Sequence, residues 1–188
     1  AVCTIFHTRN VYLYNSNLFA RKPGRSQETE MGVGWHTDAS SSFSRLQPVD
    51  RRHFCTVFVA LTDCDREHGC LKVRPTAPGE SGMCTLECDL PLKPGEFSLH
   101  GPSTPHTGGL NQSNEKRYCV ALRYIRASTR DEHVDTLGKD ICLLVAGKDE
   151  KGNFEAMPEV PGEATEEGLK LRKTVLKKRG IGPTSYSV

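Results

Sequence analysis

No apolar run in these 188 residues approaches the ~20 that a membrane-spanning helix needs. No basic segment followed by an apolar stretch opens the chain, so nothing reads as a secretory signal. An excess of one charge is missing too: 25 Lys and Arg stand against 23 Asp and Glu, a net charge of +2. A balance that even predicts no nucleic-acid partner. Apolar residues make up 36% of the chain and there is one tryptophan. The apolar residues come in short clusters, however, so a core can form. Eight cysteines occur without a CxxC pair, and Cys84 and Cys88 have no companion Cys/His pair at zinc-ligand spacing. Cys55, Cys119 and Cys142 lie inside apolar runs, where cysteine acts as a small hydrophobe. Reduced thiols in a cytoplasmic compartment are expected, and the chemistry is not expected from cysteine. What remains is a single domain over 1–188, with neither a membrane nor nucleic acid expected as its partner.

What is present is a series of short β-type runs: Val2–His7, Val11–Tyr14, Phe54–Leu61, Cys70–Arg74, Phe97–His100, Tyr118–Ile125 and Ile141–Ala146. Turn residues punctuate them at Lys22-Pro23-Gly24, Ala77-Pro78-Gly79, Lys93-Pro94-Gly95 and Gly147-Lys148-Asp149. The chain starts at Ala1 inside an apolar run, which predicts a preceding segment. Helical periodicity appears near the end, over Ala164–Arg179, with acids early, bases late and Gly180 as the stop. Its basic end is expected to be solvated. The pattern predicts a mainly β fold, an antiparallel jelly-roll barrel with a C-terminal helix.

Parity in Arg117–Ile125 separates two faces. Tyr118, Val120, Leu122 and Tyr124 form a bulky apolar set suited to packing. Arg117, Cys119, Ala121, Arg123 and Ile125 share the other face, which suits either solvent or a cavity that receives an anion.

Gly34-Trp35-His36-Thr37-Asp38 holds an imidazole and a carboxylate two residues apart, on one side of an extended backbone. They supply two thirds of a 2-His-1-carboxylate triad for non-haem Fe(II). The second histidine is His100 or His106, and spacing does not separate them. Such a triad leaves three octahedral positions open, room for a bidentate 2-oxo acid and for dioxygen. The distal carboxylate of 2-oxoglutarate in a closed pocket needs a fixed cation. Arg117, eleven residues past His106, is the candidate, on a strand expected beside that of His106.

At these residues the sequence resembles the phytanoyl-CoA dioxygenase family of Fe(II)/2-oxoglutarate oxygenases. The segments are GWHTDAS, VFVALTDCDREHGCLKVRP and KPGEFSLHGPSTPHTGGLNQSNEKRYCVALRYI. The resemblance implies a double-stranded β-helix barrel with His36, Asp38 and His106 as iron ligands and Arg117 on 2-oxoglutarate. His100 then falls on a non-ligand position. The family often has a serine two residues past the distal histidine; here Gly108 stands there, with Thr107 beside it as a co-substrate contact. Asn111 matches a recurring asparagine that braces the loop before Arg117 and counts with the co-substrate residues. Asp38 retains the carboxylate that halogenases of the superfamily lack, so a hydroxylase-type dioxygenase using Fe(II), 2-oxoglutarate and O2 is implied. The family's helical N-terminal part has no counterpart here.

Lys22 reads as a turn residue or a co-substrate contact, and Trp35 as a pocket wall or core. Arg45, Arg51 and Arg52 follow the HxD segment and read as surface charge or as contacts to an anionic substrate. His7, His53, His68 and His133 have no partner at ligand spacing. Two other functions fit less well: a catalytically silent barrel that only binds, and a cupin-like metalloenzyme independent of 2-oxoglutarate. The second leaves Arg117 without a purpose.

Overall fold

A computed structural model describes residues 1–24, 34–40, 43–75, 86–159 and 165–181. A short helix α1 (Val2–Phe6) precedes the long strand β1 (Val11–Arg21). Then come β2 (Leu46–Gln47), β3 (Phe54–Ala60), β4 (Leu71–Val73), β5 (Cys88–Leu90), β6 (Phe97–His100) and β7 (His106–Gly108). β8 (Arg117–Arg126), β9 (Arg130–Asp131), α2 (Val134–Leu137), β10 (Ile141–Ala146), β11 (Glu155–Ala156) and α3 (Glu166–Lys178) complete it. The six-stranded sheet has the order β11-β10-β1-β8-β3-β6, and a three-stranded sheet β5-β4-β7 faces it. This is the expected double-stranded β-helix with a C-terminal helix.

The N-terminal run is a helix, not the expected strand. Its apolar residues Val2, Ile5 and Phe6 recur at i, i+3 and i+4, so one helical face packs against Cys55, Tyr124 and Ala146. β-Branched composition loses here to a 3.6-residue period. β1 is also longer than the Val11–Tyr14 run. Asn15, Ser16 and Asn17 carry poor strand propensity, but β8 pairs with β1 along its whole length, as far as Arg21 opposite Arg117. The turn expected at Ala77-Pro78-Gly79 lies outside the described residues, as do Cys84 and the start expected for α3 at Ala164. In α3 itself, Thr165 Oγ1 accepts the Gly168 N–H at 3.1 Å as an N-cap.

β8 shows both faces of the parity argument. Arg117, Cys119, Ala121, Arg123 and Ile125 are buried and point into the barrel; the intervening residues are half-buried on the outside. The cavity alternative for the arginine face is the one observed. β7 and β8 do not lie side by side as expected: β7 pairs with β4 in the small sheet, β8 with β1 and β3 in the large one. The intervening loop carries the chain across the barrel mouth, so Arg117 meets the His106 side from the opposite sheet.

Candidate metal centre

His36 and His106 come together by backbone pairing. His36 forms an isolated antiparallel bridge to His106, with N–H···O contacts of 3.1 and 2.9 Å in the two directions. The ring centroids are 4.2 Å apart. Asp38 does not continue an extended segment; it opens a 3₁₀ turn, Asp38–Ser40, and is buried. One ligand atom from each of His36, Asp38 and His106 lies within 4.8 Å of the others. His100 is outside this triad. It sits on β6 in the opposite sheet, its ring centroid 4.5 Å from that of His106. The two candidates that spacing left open are therefore separated by sheet pairing.

Each triad histidine is oriented by a carbonyl two residues back. His36 Nδ1 is 2.8 Å from the Gly34 oxygen, and His106 Nδ1 is 2.9 Å from the Thr104 oxygen. A carbonyl only accepts, so both Nδ1 atoms carry the proton and both Nε2 atoms keep a lone pair. Burial pushes His106 down to about 4, against the hydrogen bond to Thr104, so the ring is neutral at physiological pH.

The large sheet contributes a row of side chains aligned across four strands: Asn15, Arg123, Thr56 and His100. Three of them meet Asp38. Thr56 Oγ1 donates to Oδ2 at 2.6 Å, Arg123 Nε lies 3.4 Å from Oδ1, and His100 Nε2 lies 3.7 Å from Oδ2. Burial alone would raise the Asp38 carboxyl, but the His100 contact, the Arg123 charge and the Thr56 hydroxyl hold it well below the usual carboxylate range. The carboxylate is ionised and aimed before any ligand arrives.

A cavity of about 380 Å³ lies over the triad. β1 crosses it lengthwise, so Tyr14, Asn15 and Asn17 line one end and Phe19 and Arg21 the other. Arg117 lies at the Arg21 end, buried, with Nη1 donating to the Gly69 carbonyl and Nε without a partner. Gly69 makes that carbonyl available. Its φ is +73°, and a Cβ there would come within 2.5 Å of the Gly109 oxygen.

Other expected site residues fall elsewhere. Thr107 is on β7 opposite Lys72 and Asn111 is buried in the following loop; neither lines the cavity. Asn111 braces that loop: Nδ2 donates to the Glu115 carbonyl at 2.7 Å, and Oδ1 accepts from Ser113 Oγ at 2.7 Å. Trp35 is neither core nor wall, being 36% exposed with the Arg74 guanidinium 3.9 Å over its ring. Lys22 is exposed just past β1. Arg51 and Arg52 are exposed, while Arg45 is buried between Asp131 and Asp140 and is not surface charge. Arg179 joins that network at 2.9 Å from Asp140, so the basic end of α3 is partly interior. Sequence reasoning missed Asn15, Asn17, Phe43, Arg179 and Ile181 as lining residues. For the β1 residues the alternation Asn15, Asn17, Phe19, Arg21 was the available signal. The seven described cysteines are free, and burial pushes Cys55 and Cys70 up to about 11, so these two thiols are not poised as nucleophiles.

The family model described as phytanoyl-CoA dioxygenase (PhyH) matches residues 3–77, a stretch that contains His36 and Asp38. The resemblance to that family is borne out. No curated protein matches the chain. Among solved structures, the non-heme monooxygenase ThoJ, as its nickel complex, superposes with a TM-score of 0.79 at 23% identity, covering 95% of this chain and 68% of that one. The epimerase SnoN in complex with Fe3+, alpha ketoglutarate and nogalamycin RO gives 0.57 at 16% identity, over 84% and 66%. The alpha ketoglutarate dependent carbocyclase SnoK from nogalamycin biosynthesis gives 0.53 at 18%, over 69% and 59%. At these identities the likeness is one of fold.

Proposed function

We propose that the chain is a non-haem Fe(II)- and 2-oxoglutarate-dependent oxygenase that oxidises a small organic molecule, with hydroxylation as the outcome. The observation that carries this reading is the pair of Nδ1-anchored histidines beside an ionised Asp38 in one cavity wall. Two imidazoles and one carboxylate suit Fe(II). The buried Arg117 Nε without a partner suits a carboxylate, the distal one of 2-oxoglutarate. Further support comes from the family match and from neighbours named as alpha ketoglutarate dependent or as a complex with Fe3+ and alpha ketoglutarate.

In this reading His36 and His106 hold iron through Nε2 and Asp38 through a carboxylate oxygen. Iron held there would supply the redox chemistry by which dioxygen oxidises the substrate while 2-oxoglutarate is converted to succinate and carbon dioxide. The chain's own residues do the rest. Thr56, Arg123 and His100 keep Asp38 aimed, Arg117 orients the co-substrate, and Phe19, Phe58, Leu71 and Ala121 exclude water from the carboxylate end. Asn111 acts through the loop that leads to Arg117, and Thr107 through β7. The neighbours include an epimerase and a carbocyclase; the retained Asp38 argues against halogenation, and product analysis is the test of hydroxylation.

Succinate released from 2-oxoglutarate with Fe(II) tests the proposal in wild type, His106→Ala, His100→Ala and Arg117→Ala. Wild type is expected to turn over slowly even without substrate, His106→Ala and Arg117→Ala to lose this, and His100→Ala to retain a measurable part. A silent wild type overturns the oxygenase reading, and 2-oxoglutarate binding without succinate favours the binding-only barrel. Full turnover in His106→Ala with loss in His100→Ala overturns the ligand assignment.

A further inference from the structure

An irregularity in β1 shapes the end of the cavity away from Arg117. The register of β1 against β8 shifts between Leu13 and Asn15, which leaves Tyr14 as an extra residue, a β-bulge. Tyr12 and Tyr14 are buried ahead of the shift. An unbroken alternation would next turn Ser16 and Leu18 inward. Instead these two are exposed outside, and Asn15, Asn17 and Phe19 line the cavity. The bulge therefore places two carboxamides on an interior face.

Arg123 stands opposite Asn15 on β8 and lines the same end. Arg117 is six residues away along β8, roughly 20 Å at the rise of an extended strand. The Arg123 guanidinium is fixed at two of its nitrogens. Nε lies 3.4 Å from Asp38 Oδ1, and Nη1 donates to Asn17 Oδ1 at 2.7 Å. Phe43 supports it, with the ring centroid 4.8 Å from the guanidinium carbon. Nη2 has no partner among the described residues, although the side chain is only 10% exposed. Asn15 Oδ1 is buried without a partner as well. Buried polar groups are rarely left unpaired, so this cluster lacks a ligand.

The chemistry of the cluster selects that ligand. Arg123 Nη2 and the amide nitrogens of Asn15 and Asn17 are all donors, and turning the Asn15 amide over presents its nitrogen in place of its oxygen. A carboxylate accepts only, through two oxygens, and matches such a set. Charge points the same way. Asp38 is the one carboxylate beside Arg123, at a long 3.4 Å, and it is also a ligand in the proposed metal site. Arg179, the other cation at this end, is already held by Asp140 at 2.9 Å.

We propose that the substrate is a compact organic carboxylate, gripped by Arg123 Nη2 with the amides of Asn15 and Asn17, its apolar body lying along Phe43 and Tyr14. The inference rests on the oxygenase reading and names the substrate class of that site. With Nε and Nη1 already tied, the guanidinium gives up little freedom when the acid binds.

The test uses Mn(II)-loaded protein with saturating 2-oxoglutarate and no oxygen, and two probes, hexanoate and its uncharged isostere hexanamide. Broadening of the probe proton resonances by Mn(II) reports binding beside the metal, and titration gives both affinities. Wild type is expected to prefer hexanoate by ~10-fold or more, because hexanamide forgoes the charge-assisted hydrogen bonds. Asn15→Leu is expected to lower hexanoate affinity about 5- to 10-fold and to change hexanamide less than about threefold. Arg123→Lys, which keeps the charge and removes Nη2, is expected to lower hexanoate affinity by ~10-fold or more. Each variant is judged by a ratio of two affinities, so partial loss of folded protein does not imitate the effect. Equal affinities in wild type, binding of neither probe, or a preference that either variant keeps in full overturns the carboxylate subsite. A wild type that binds Mn(II) but not 2-oxoglutarate overturns the oxygenase reading itself, whereas 2-oxoglutarate binding without a preference for hexanoate overturns the substrate class alone.

Discussion

The central strands of the large sheet carry buried arginines on the inside and much apolar surface on the outside. Across β1, β8, β3 and β6 one inward row reads Asn15, Arg123, Thr56 and His100, whereas an outward row reads Leu18, Val120, Val59 and Phe97. Leu18 is 64% exposed and Phe97 52%, while Arg117 is 2% exposed. In these two rows the usual disposition of a half-buried sheet is reversed, although Phe58, Ala121 and Ile125 are buried on the inward face as well. The difference teaches that interior order here comes from polar partners as well as from apolar packing. Arg123 is held by Asn17 and Asp38, and Arg45 and Arg179 share Asp131 and Asp140. The outward residues have no comparable ties, so substitutions should affect the two faces very differently.

The sharpest contrast comes from the buried ion network. Arg45→Met leaves Asp131 short of its partner and Asp140 with Arg179 alone, and is expected to cost about 3–5 kcal/mol. That lowers the melting temperature by roughly 6–20 °C for a chain of this size. A loss below about 1 kcal/mol would remove the polar-partner account of the interior.

Acidification comes next. His106 titrates at about 4 when folded, against an ordinary value near 6.5, so between those values the unfolded chain binds a proton that the folded one refuses. The contribution is complete above about pH 6.5 and is lost as pH falls toward 4, on the order of 3 kcal/mol in total. Urea titrations of metal-free protein from pH 7 to pH 4 should show this decline, and His106→Gln should flatten it. An unchanged slope in that variant would assign the decline to other groups.

Thr56→Val is smaller in effect. It removes the 2.6 Å hydrogen bond to Asp38 Oδ2 at nearly constant volume. Mn(II) affinity is expected to fall about tenfold, with the melting temperature of the metal-free protein changing far less. Metal affinity equal to wild type would show that the inward row does not aim the carboxylate.

The outward face should give the smallest response. Leu18→Ser and Phe97→Ser are each expected within about 0.5 kcal/mol of wild type in urea unfolding. A loss several times larger would mean that this face is covered in solution, and would close the gap between the two faces.

Much of this arrangement was legible beforehand. The strand runs at 54, 97, 118 and 141 are real strands, and the alternation in Arg117–Ile125 marked two distinct faces while leaving open whether the arginine face meets solvent or a cavity. The HxD pair and a distant arginine were visible because they are local patterns. α1 was not, because five residues carry too little periodicity to outweigh their β-branched composition. Arg45 and Arg179 read as surface charge because nothing near them in sequence announces Asp131 and Asp140.

The sequence by itself determined which residue types were available: His36 with Asp38 at a spacing of two, two histidines near 100, and Arg117 downstream. It also determined the mainly β character, through short runs cut by glycine and proline. Spacing left His100 and His106 open and only the resemblance chose between them; the tertiary structure is what stands His106 beside His36 and Arg21 opposite Arg117. The physical reason is that both outcomes are set by strand pairing. Backbone hydrogen bonds between segments far apart in the chain bring side chains to one point, and no pattern within either segment records its partner.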